Sequence, residues 1–205
     1  MGWAGHAERM GSQSTIGGSA MIDQRTGSLG SADDAAGLAV TSGKESAGIL
    51  LYRLGGDGDL EVLVVHPGGP LWRGKEAGAW SIPKGELGAD EDARMAAIRE
   101  FAEETGAALS PGTMLVSLGS VTLRSGKVVR AWSARGDVEV TGLRSDTFEM
   151  EWPPRSGVTA SFPEVDRYAW VGPEEARRLL NPALGELVTR LESFLACLSP
   201  LDHYQ

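Results

Sequence analysis

Residues 85–107 read GELGADEDARMAAIREFAEETGA, and their reading decides that of the whole chain. From Glu91 to Thr105 there is no Gly or Pro, and Ala, Glu, Arg and Met are all good helix formers. Asp90 stands where an N-cap is expected and Gly106 where the helix should stop. With Glu100 at zero on a wheel of about 100° per residue, Glu104 falls at about 40° and Glu103 at about 300°. Three carboxylates therefore share one narrow face. Met95, Ile98 and Ala102 gather opposite and are expected to face a core. Like charges at i, i+3 and i, i+4 repel by about 0.2–0.5 kcal/mol per pair when exposed, and by more when desolvated. Such a face needs basic neighbours or bound cations, unless it is an ordinary solvated acidic surface.

The spacing around that helix favours the cations. Gly85, five residues, Glu91, seven residues, then Arg99-Glu100-Phe101-Ala102-Glu103-Glu104-Thr105-Gly106 reproduces the Nudix box, and the chain resembles the Nudix hydrolase family. Gly85, Glu91, Arg99, Glu100, Phe101, Glu103, Glu104 and Gly106 match at fixed spacing, while Ala107 is smaller than the usual aliphatic residue there. The resemblance implies an α+β fold, specifically an α/β/α sandwich around a mixed β-sheet. It also implies that Glu100, Glu103, Glu104 and the Gly85 carbonyl bind Mg²⁺, with Mn²⁺ as a substitute. An Arg99–Glu91 ion pair would orient the helix and its loop. Mg²⁺ prefers oxygen ligands and bridges carboxylates to phosphates, which suits such a set. The implied reaction is attack of water on phosphorus in a nucleoside diphosphate linked to another moiety.

A second element, Phe162-Pro-Glu-Val-Asp-Arg-Tyr-Ala-Trp-Val171, resembles the segment of dinucleoside-polyphosphate hydrolases and RNA pyrophosphohydrolases in which a Glu precedes a Trp by six residues. By that match Glu164 is an added metal ligand or the general base, with Glu149 and Glu151 as rivals. Pro83-Lys84-Gly85 looks closer to diadenosine and diphosphoinositol polyphosphate hydrolases than to MutT-type members. Lys84 would then meet a polyphosphate as a point charge, or else be a solvated loop lysine. The strand Leu115–Leu123 lacks the Pro or Tyr that marks other subgroups near this place. The implied substrate is a dinucleoside polyphosphate or a nucleoside triphosphate. ADP-ribose or a nucleotide sugar comes second, and a non-hydrolytic nucleotide-binding module is the alternative class. Trp72, Trp132, Trp152 and Tyr168 are candidates for stacking on a base, although core burial would also explain them. Arg124, Lys127 and Arg130 are candidates for phosphates. His66 is a candidate catalytic acid, although a lone His after a strand is more often structural, and Cys197, late in a helix with no nearby His or Cys, is not expected to do nucleophilic or redox chemistry.

Outward from the box, Ala47–Arg53 and Leu60–His66 flank a Gly/Asp cluster and read as a hairpin. Ala79–Ile82, Leu115–Leu123, Lys127–Ala134 and Arg167–Val171 are further strand candidates. Pro173–Leu180 and Ala183–Leu198 read as helices, the second with Leu184, Leu187, Leu191, Phe194 and Leu198 on one stripe. Residues 136–163 read as irregular, interrupted by Trp152-Pro153-Pro154. Residues 1–43 mix Gly, Ser, Ala and Thr with few large apolar residues, and are expected to be a disordered tail before a single domain over 44–205. If Val40 were a translation start, the chain would begin just before the first strand; finding residues 1–39 in the native protein by peptide mapping rejects this. Nineteen Lys and Arg against twenty-eight Asp and Glu give a net charge of −9, which disfavours long nucleic acids and anionic membranes as partners. A small nucleotide arriving with magnesium remains compatible. The single cysteine suits a reducing, cytoplasmic setting, and a homo-oligomer is compatible with the sequence.

Overall fold

Ala47 to Leu51 is apolar at every position but Gly48, and successive side chains of a strand point to opposite faces. A run of that kind suits a strand covered on both sides. The computed structural model describes residues 45–198 and places this run in β1 (Glu45–Leu54), at the centre of a mixed sheet. The tail expected over residues 1–43 lies outside the described residues. One edge of β1 runs parallel to β5 (Val128–Arg135), from Glu45↔Val128 to Tyr52↔Arg135. The other edge is divided between two antiparallel partners: β3 (Lys84–Glu86) pairs with Ser46, Ala47 and Gly48, and β2 (Leu60–Pro67) with Tyr52, Arg53 and Leu54. β4 (Leu115–Thr122) and β8 (Val165–Val171) complete the order β4-β5-β1-β2-β8.

Alternation along the strands builds two cores. Ile49, Leu51 and Leu63 face α1 (Ala93–Thr105), meeting Ala96, Ala97 and Phe101. Leu50, Val62 and Val64 face the other way, toward α2 (Pro173–Leu179) and Leu184, Leu187, Val188 and Leu191 of α3 (Pro182–Leu198). Each fully buried Leu or Ile contributes about 1.5–3 kcal/mol. The result is the expected α/β/α sandwich. Among the described residues, no helix is long and apolar enough to cross a membrane.

Four local expectations change. The N-cap of α1 is Asp92, whose carboxylate accepts the Arg94 and Met95 N–H groups at 3.0 Å each, while Asp90 sits at a positive φ of 59°. The core face of α1 consists of Ala96, Ala97, Phe101 and Thr105; Met95 is exposed, and Ile98 and Ala102 are only half-buried. Small alanines let the helix approach the sheet closely, so bulk was the wrong guide to its inner face. Residues 136–163 contain a hairpin of β6 (Thr147–Glu151) and β7 (Thr159–Pro163), with Trp152-Pro153-Pro154 in its turn. Finally, Ala79–Ile82 makes only isolated bridges, Val65↔Ser81 to β2 and Trp80↔Leu180 to the end of α2, and the strand proper is β3. Along α3, Leu184, Leu187 and Leu191 are buried as expected, Phe194 is half-buried and Leu198 is exposed.

Candidate active site

Glu100 follows Ala96 and Ala97 by one helical turn, so it shares their inward direction. It is 8% exposed and meets β3, where a Cβ at Gly85 would overlap its carboxylate. Glycine at 85 is thus required by close approach. Burial raises the Glu100 pKa; the Arg99 guanidinium opposes the rise, and the charges of Glu103 and Glu164 add to it.

Arg99 organises this face. Its Nε and Nη2 donate to the two Glu91 carboxylate oxygens at 2.9 Å each, a bidentate pair that fixes orientation. Its Nη1 donates to Glu100 Oε1 at 2.7 Å and to Glu103 Oε2 at 2.8 Å. Nη2 also reaches the Glu86 carbonyl at 3.2 Å, tying α1 to β3. The Arg99 guanidinium, followed by the Gly88 N–H at 2.8 Å, holds the Glu91 carboxyl down at about 2. Glu104 accepts the Lys84 N–H at 3.0 Å. Burial is the main reason its pKa is pushed up to about 7; Lys84 opposes the shift, while Glu100 and Glu164 reinforce it.

Glu164 lies between β7 and β8 and is positioned by main-chain bonds. Its N–H donates to the Asp146 carbonyl at 2.9 Å, and its own carbonyl accepts the Gly68 N–H at 2.8 Å. Asp146 N–H donates to the Glu103 carbonyl at 3.0 Å, and Arg144 N–H to the Thr105 carbonyl at 3.1 Å. These bonds satisfy carbonyls left open at the end of α1 and bring the Glu164 segment to the same helix. The Tyr168 hydroxyl adds another by donating to the Glu104 carbonyl at 2.7 Å.

Part of this set surrounds a cavity of about 420 Å³. Lys84, Gly85, Glu100, Glu103, Glu104 and Glu164 all line it, as does Lys127, whose Nζ is 3.2 Å from Glu86 Oε1. Glu91 and Arg99 stand behind the wall. Arg130 does not line the cavity and pairs with Glu45 at 2.8 Å. Tyr168 is also outside the lining, with its ring against the α1-side core. Glu149 does not line the cavity, and Glu151 accepts the Gly157 N–H of its own hairpin. Of the four stacking candidates only Trp72 lines it; Trp132 is packed on the α1-side core. His66 is buried between Asp166 Oδ1 at 2.6 Å and the Lys75 carbonyl at 2.9 Å. Cys197 is exposed on the last turn of α3.

The sequence reading missed Glu86, Asp146 and Phe148 as wall residues. For Phe148 the available signal was the period-two pattern Thr-Phe-Glu-Met-Glu, which marks β6; Asp146 stands one residue before that strand.

Six carboxylates (Glu86, Glu100, Glu103, Glu104, Asp146 and Glu164) face two ammonium groups, Lys84 and Lys127, in the wall. This hard-oxygen set fits a divalent cation of the Mg²⁺ type. Among the described residues, no three such side chains form a ready-made ligating group. Arg99 engages one oxygen of Glu100 and one of Glu103, and the Lys84 N–H engages one of Glu104, so each of these carboxylates keeps a second oxygen for a cation.

Comparison with known proteins agrees with this architecture. A family model described as NUDIX domain matches residues 44–191. A Caenorhabditis elegans Ap4A hydrolase, solved as a binary complex, is 22% identical; the match covers 74% of this chain and 98% of that one at a TM-score of 0.55. The NUDIX domain of Shewanella oneidensis NrtR, solved with ADP-ribose, is 17% identical; the match covers 75% of this chain and 88% of that one at a TM-score of 0.52. At these identities the two structures speak for the fold.

Proposed function

The chain belongs to the Nudix hydrolase family, a pyrophosphohydrolase by class, and from that premise we propose that it cleaves a phosphoanhydride bond in a small nucleotide with the help of Mg²⁺. The leading substrates are dinucleoside polyphosphates and nucleoside triphosphates. The observation that carries this reading is the meeting of Gly85, Glu100, Glu103, Glu104 and Glu164 around one cavity whose wall also holds Lys84 and Lys127. Glu100, Glu103, Glu104 and Glu164 would hold the metal. When bound, Mg²⁺ supplies charge neutralisation at the diphosphate and lowers the proton affinity of the attacking water.

The chain's own residues then have separate tasks. Lys84 and Lys127 draw phosphate oxygens to the wall as point charges. Glu164 takes the proton of the attacking water, a role that requires an ionised carboxylate within reach of that water. Arg99 and Glu91 act behind the wall by fixing α1 against β3, so they are positioning residues. Tyr168 likewise supports the end of α1 rather than touching substrate. No group of the chain need become covalently attached to phosphorus. The exposed, lone Cys197 accords with action in a reducing, cytoplasmic setting.

ADP-ribose or a nucleotide sugar is the second reading, favoured by the ADP-ribose in the Shewanella oneidensis NrtR complex. A panel of dinucleoside polyphosphates, nucleoside triphosphates, ADP-ribose and nucleotide sugars, incubated with Mg²⁺ and the full chain, separates these readings. Mass spectrometry of the products should show cleavage between two phosphorus atoms and dependence on the cation. Binding without cleavage of any member would replace the hydrolase with a binding module.

A further inference from the structure

The pairing of β2 with β8 carries one irregularity, and it falls beside Glu164. His66 pairs with Arg167 and Pro67 with Val165, so Asp166 is an extra residue on β8 with no counterpart on β2. A bulge of this kind bends its strand and re-aims the side chains around it. What pins it here is a side-chain bond. Asp166 Oδ1 lies 2.6 Å from Nδ1 of His66, which is 1% exposed. We propose that His66 and Asp166 form a clamp that holds the Glu164 carboxylate in the cavity, which makes them positioning residues for the proton transfer assigned to Glu164. The proposal rests on that assignment.

The ring of His66 is held from both ends. Its Nε2 is 2.9 Å from the Lys75 carbonyl oxygen, which can only accept, so Nε2 carries a hydrogen. At 2.6 Å, Nδ1 and the Asp166 carboxylate oxygen hold a proton between them. Trp80 packs edge-on against the ring, with centroids 5.3 Å apart. Away from water, bonds of this kind are stronger than on a surface. Neither His66 nor Asp166 lines the cavity, so their influence on it passes through the main chain.

Two routes lead from the clamp to the site. On β8, Asp166 is two residues from Glu164, and Val165 between them is buried, with its N–H donating to Ser145 Oγ at 3.0 Å. On β2, His66 is two residues from Gly68, whose N–H donates to the Glu164 carbonyl at 2.8 Å. His66, Gly68, Glu164 and Asp166 thus close a ring, with the side-chain clamp on one side and a main-chain bond on the other. A Cβ on Gly68 would overlap the Pro163 carbonyl oxygen, which reserves this approach for glycine. Through the Lys75 carbonyl the same histidine also fastens the loop that carries Trp72 of the cavity wall.

Small displacements matter at such a place. Moving a reacting group by about 1 Å can cost about 10²-fold in rate. A one-residue slip exchanges the two faces of a strand, so a bulge left unpinned beside Glu164 would let that carboxylate leave the cavity.

The test combines steady-state kinetics of the full chain, on ATP and on a diadenosine polyphosphate with Mg²⁺, with amide hydrogen exchange followed by NMR. The Asp166 side chain is 36% exposed, so its substitution should leave the fold intact. Asp166→Ala should lower kcat by about 10- to 100-fold with KM within about threefold, and should speed exchange of the Gly68 amide by about 10-fold or more. Asp166→Asn removes the charge but keeps a hydrogen-bonding partner for Nδ1, and should return both readouts to within about threefold of the wild type. In a Glu164→Gln background the Asp166→Ala change should cost less than about twofold. Losses of equal size in the two backgrounds, no rescue by Asp166→Asn, or Gly68 exchange unchanged in Asp166→Ala would overturn the clamp. Normal turnover in Glu164→Gln, or none in the wild type, would remove the proton-transfer reading and the positioning role with it. Faster Gly68 exchange in Asp166→Ala would then trace the failure to that reading, since the bonds of the clamp would have been shown to hold.

Discussion

On the α3 side of the sheet, Leu184, Leu187, Val188 and Leu191 meet Leu50, Val62 and Val64 with no charged group among them. On the α1 side, Ala96, Ala97 and Phe101 meet Ile49, Leu51 and Leu63, and the same helix turns the buried Glu100 toward Gly85. The first contact is built from large aliphatic side chains and stabilises the fold. The second uses small ones, which brings a row of carboxylates down to the edge of a strand. Burying Glu100 and half-burying Glu104 raises both their pKa values, a cost that an apolar face would not carry. The cation proposed above would offset that cost.

Substitutions on the two sides should therefore fail in different ways. The largest effect is expected from Glu164→Gln, which should lower kcat by about 10²- to 10⁴-fold with the melting temperature nearly unchanged. Steady-state kinetics beside thermal melts would show this, and near-normal turnover would transfer the proton-accepting role to another wall carboxylate. Leu187→Ala should do the reverse, costing about 2–5 kcal/mol in denaturant titrations while leaving turnover per folded molecule intact. Ala97→Leu belongs to both classes: overpacking should cost about 1–3 kcal/mol, and displacement of Glu100 from Gly85 should lower activity as well.

The smallest effect is on pH. Glu104 has a folded pKa of about 7 against an ordinary 4.5, so the native state holds its proton more tightly than the unfolded chain. Stability of the metal-free protein from this group is full below pH 4.5 and is lost as pH rises toward 7. Melts in chelator at pH 5 and pH 8 should show that loss in the wild type and a flatter profile in Glu104→Gln. Cation binding must displace the same proton, so apparent affinity should rise with pH up to about 7, by at most about tenfold per unit.

The sandwich was legible because β1 and β2 are apolar runs and the box has an invariable spacing. The carboxylate set was legible because the helix places Glu100, Glu103 and Glu104 together from sequence alone. The inner face of α1 was not, because alanine carries little hydrophobic signal and Met95 carries much, yet close approach to the sheet selects the former. Asp92 and Asp90 are equally good caps by composition, and only the backbone decides between them. Phe148 and Asp146 were hidden because their hairpin is short and interrupted by a Pro-Pro turn, and because what brings it to α1 is main-chain bonding that no side-chain pattern encodes.

The most direct test is the divalent-cation dependence of nucleotide hydrolysis in the wild type and Glu103→Gln. Glu103 lines the cavity without being part of either core, so the substitution should leave the melting temperature within a degree or two, on the order expected for a surface change. The predicted result is hydrolysis that requires Mg²⁺ or Mn²⁺ in the wild type and falls by at least about 100-fold in the variant. Wild-type hydrolysis that persists in chelator, or a Glu103→Gln protein with normal cation-dependent turnover, would contradict the assignment of this acidic face to a metal.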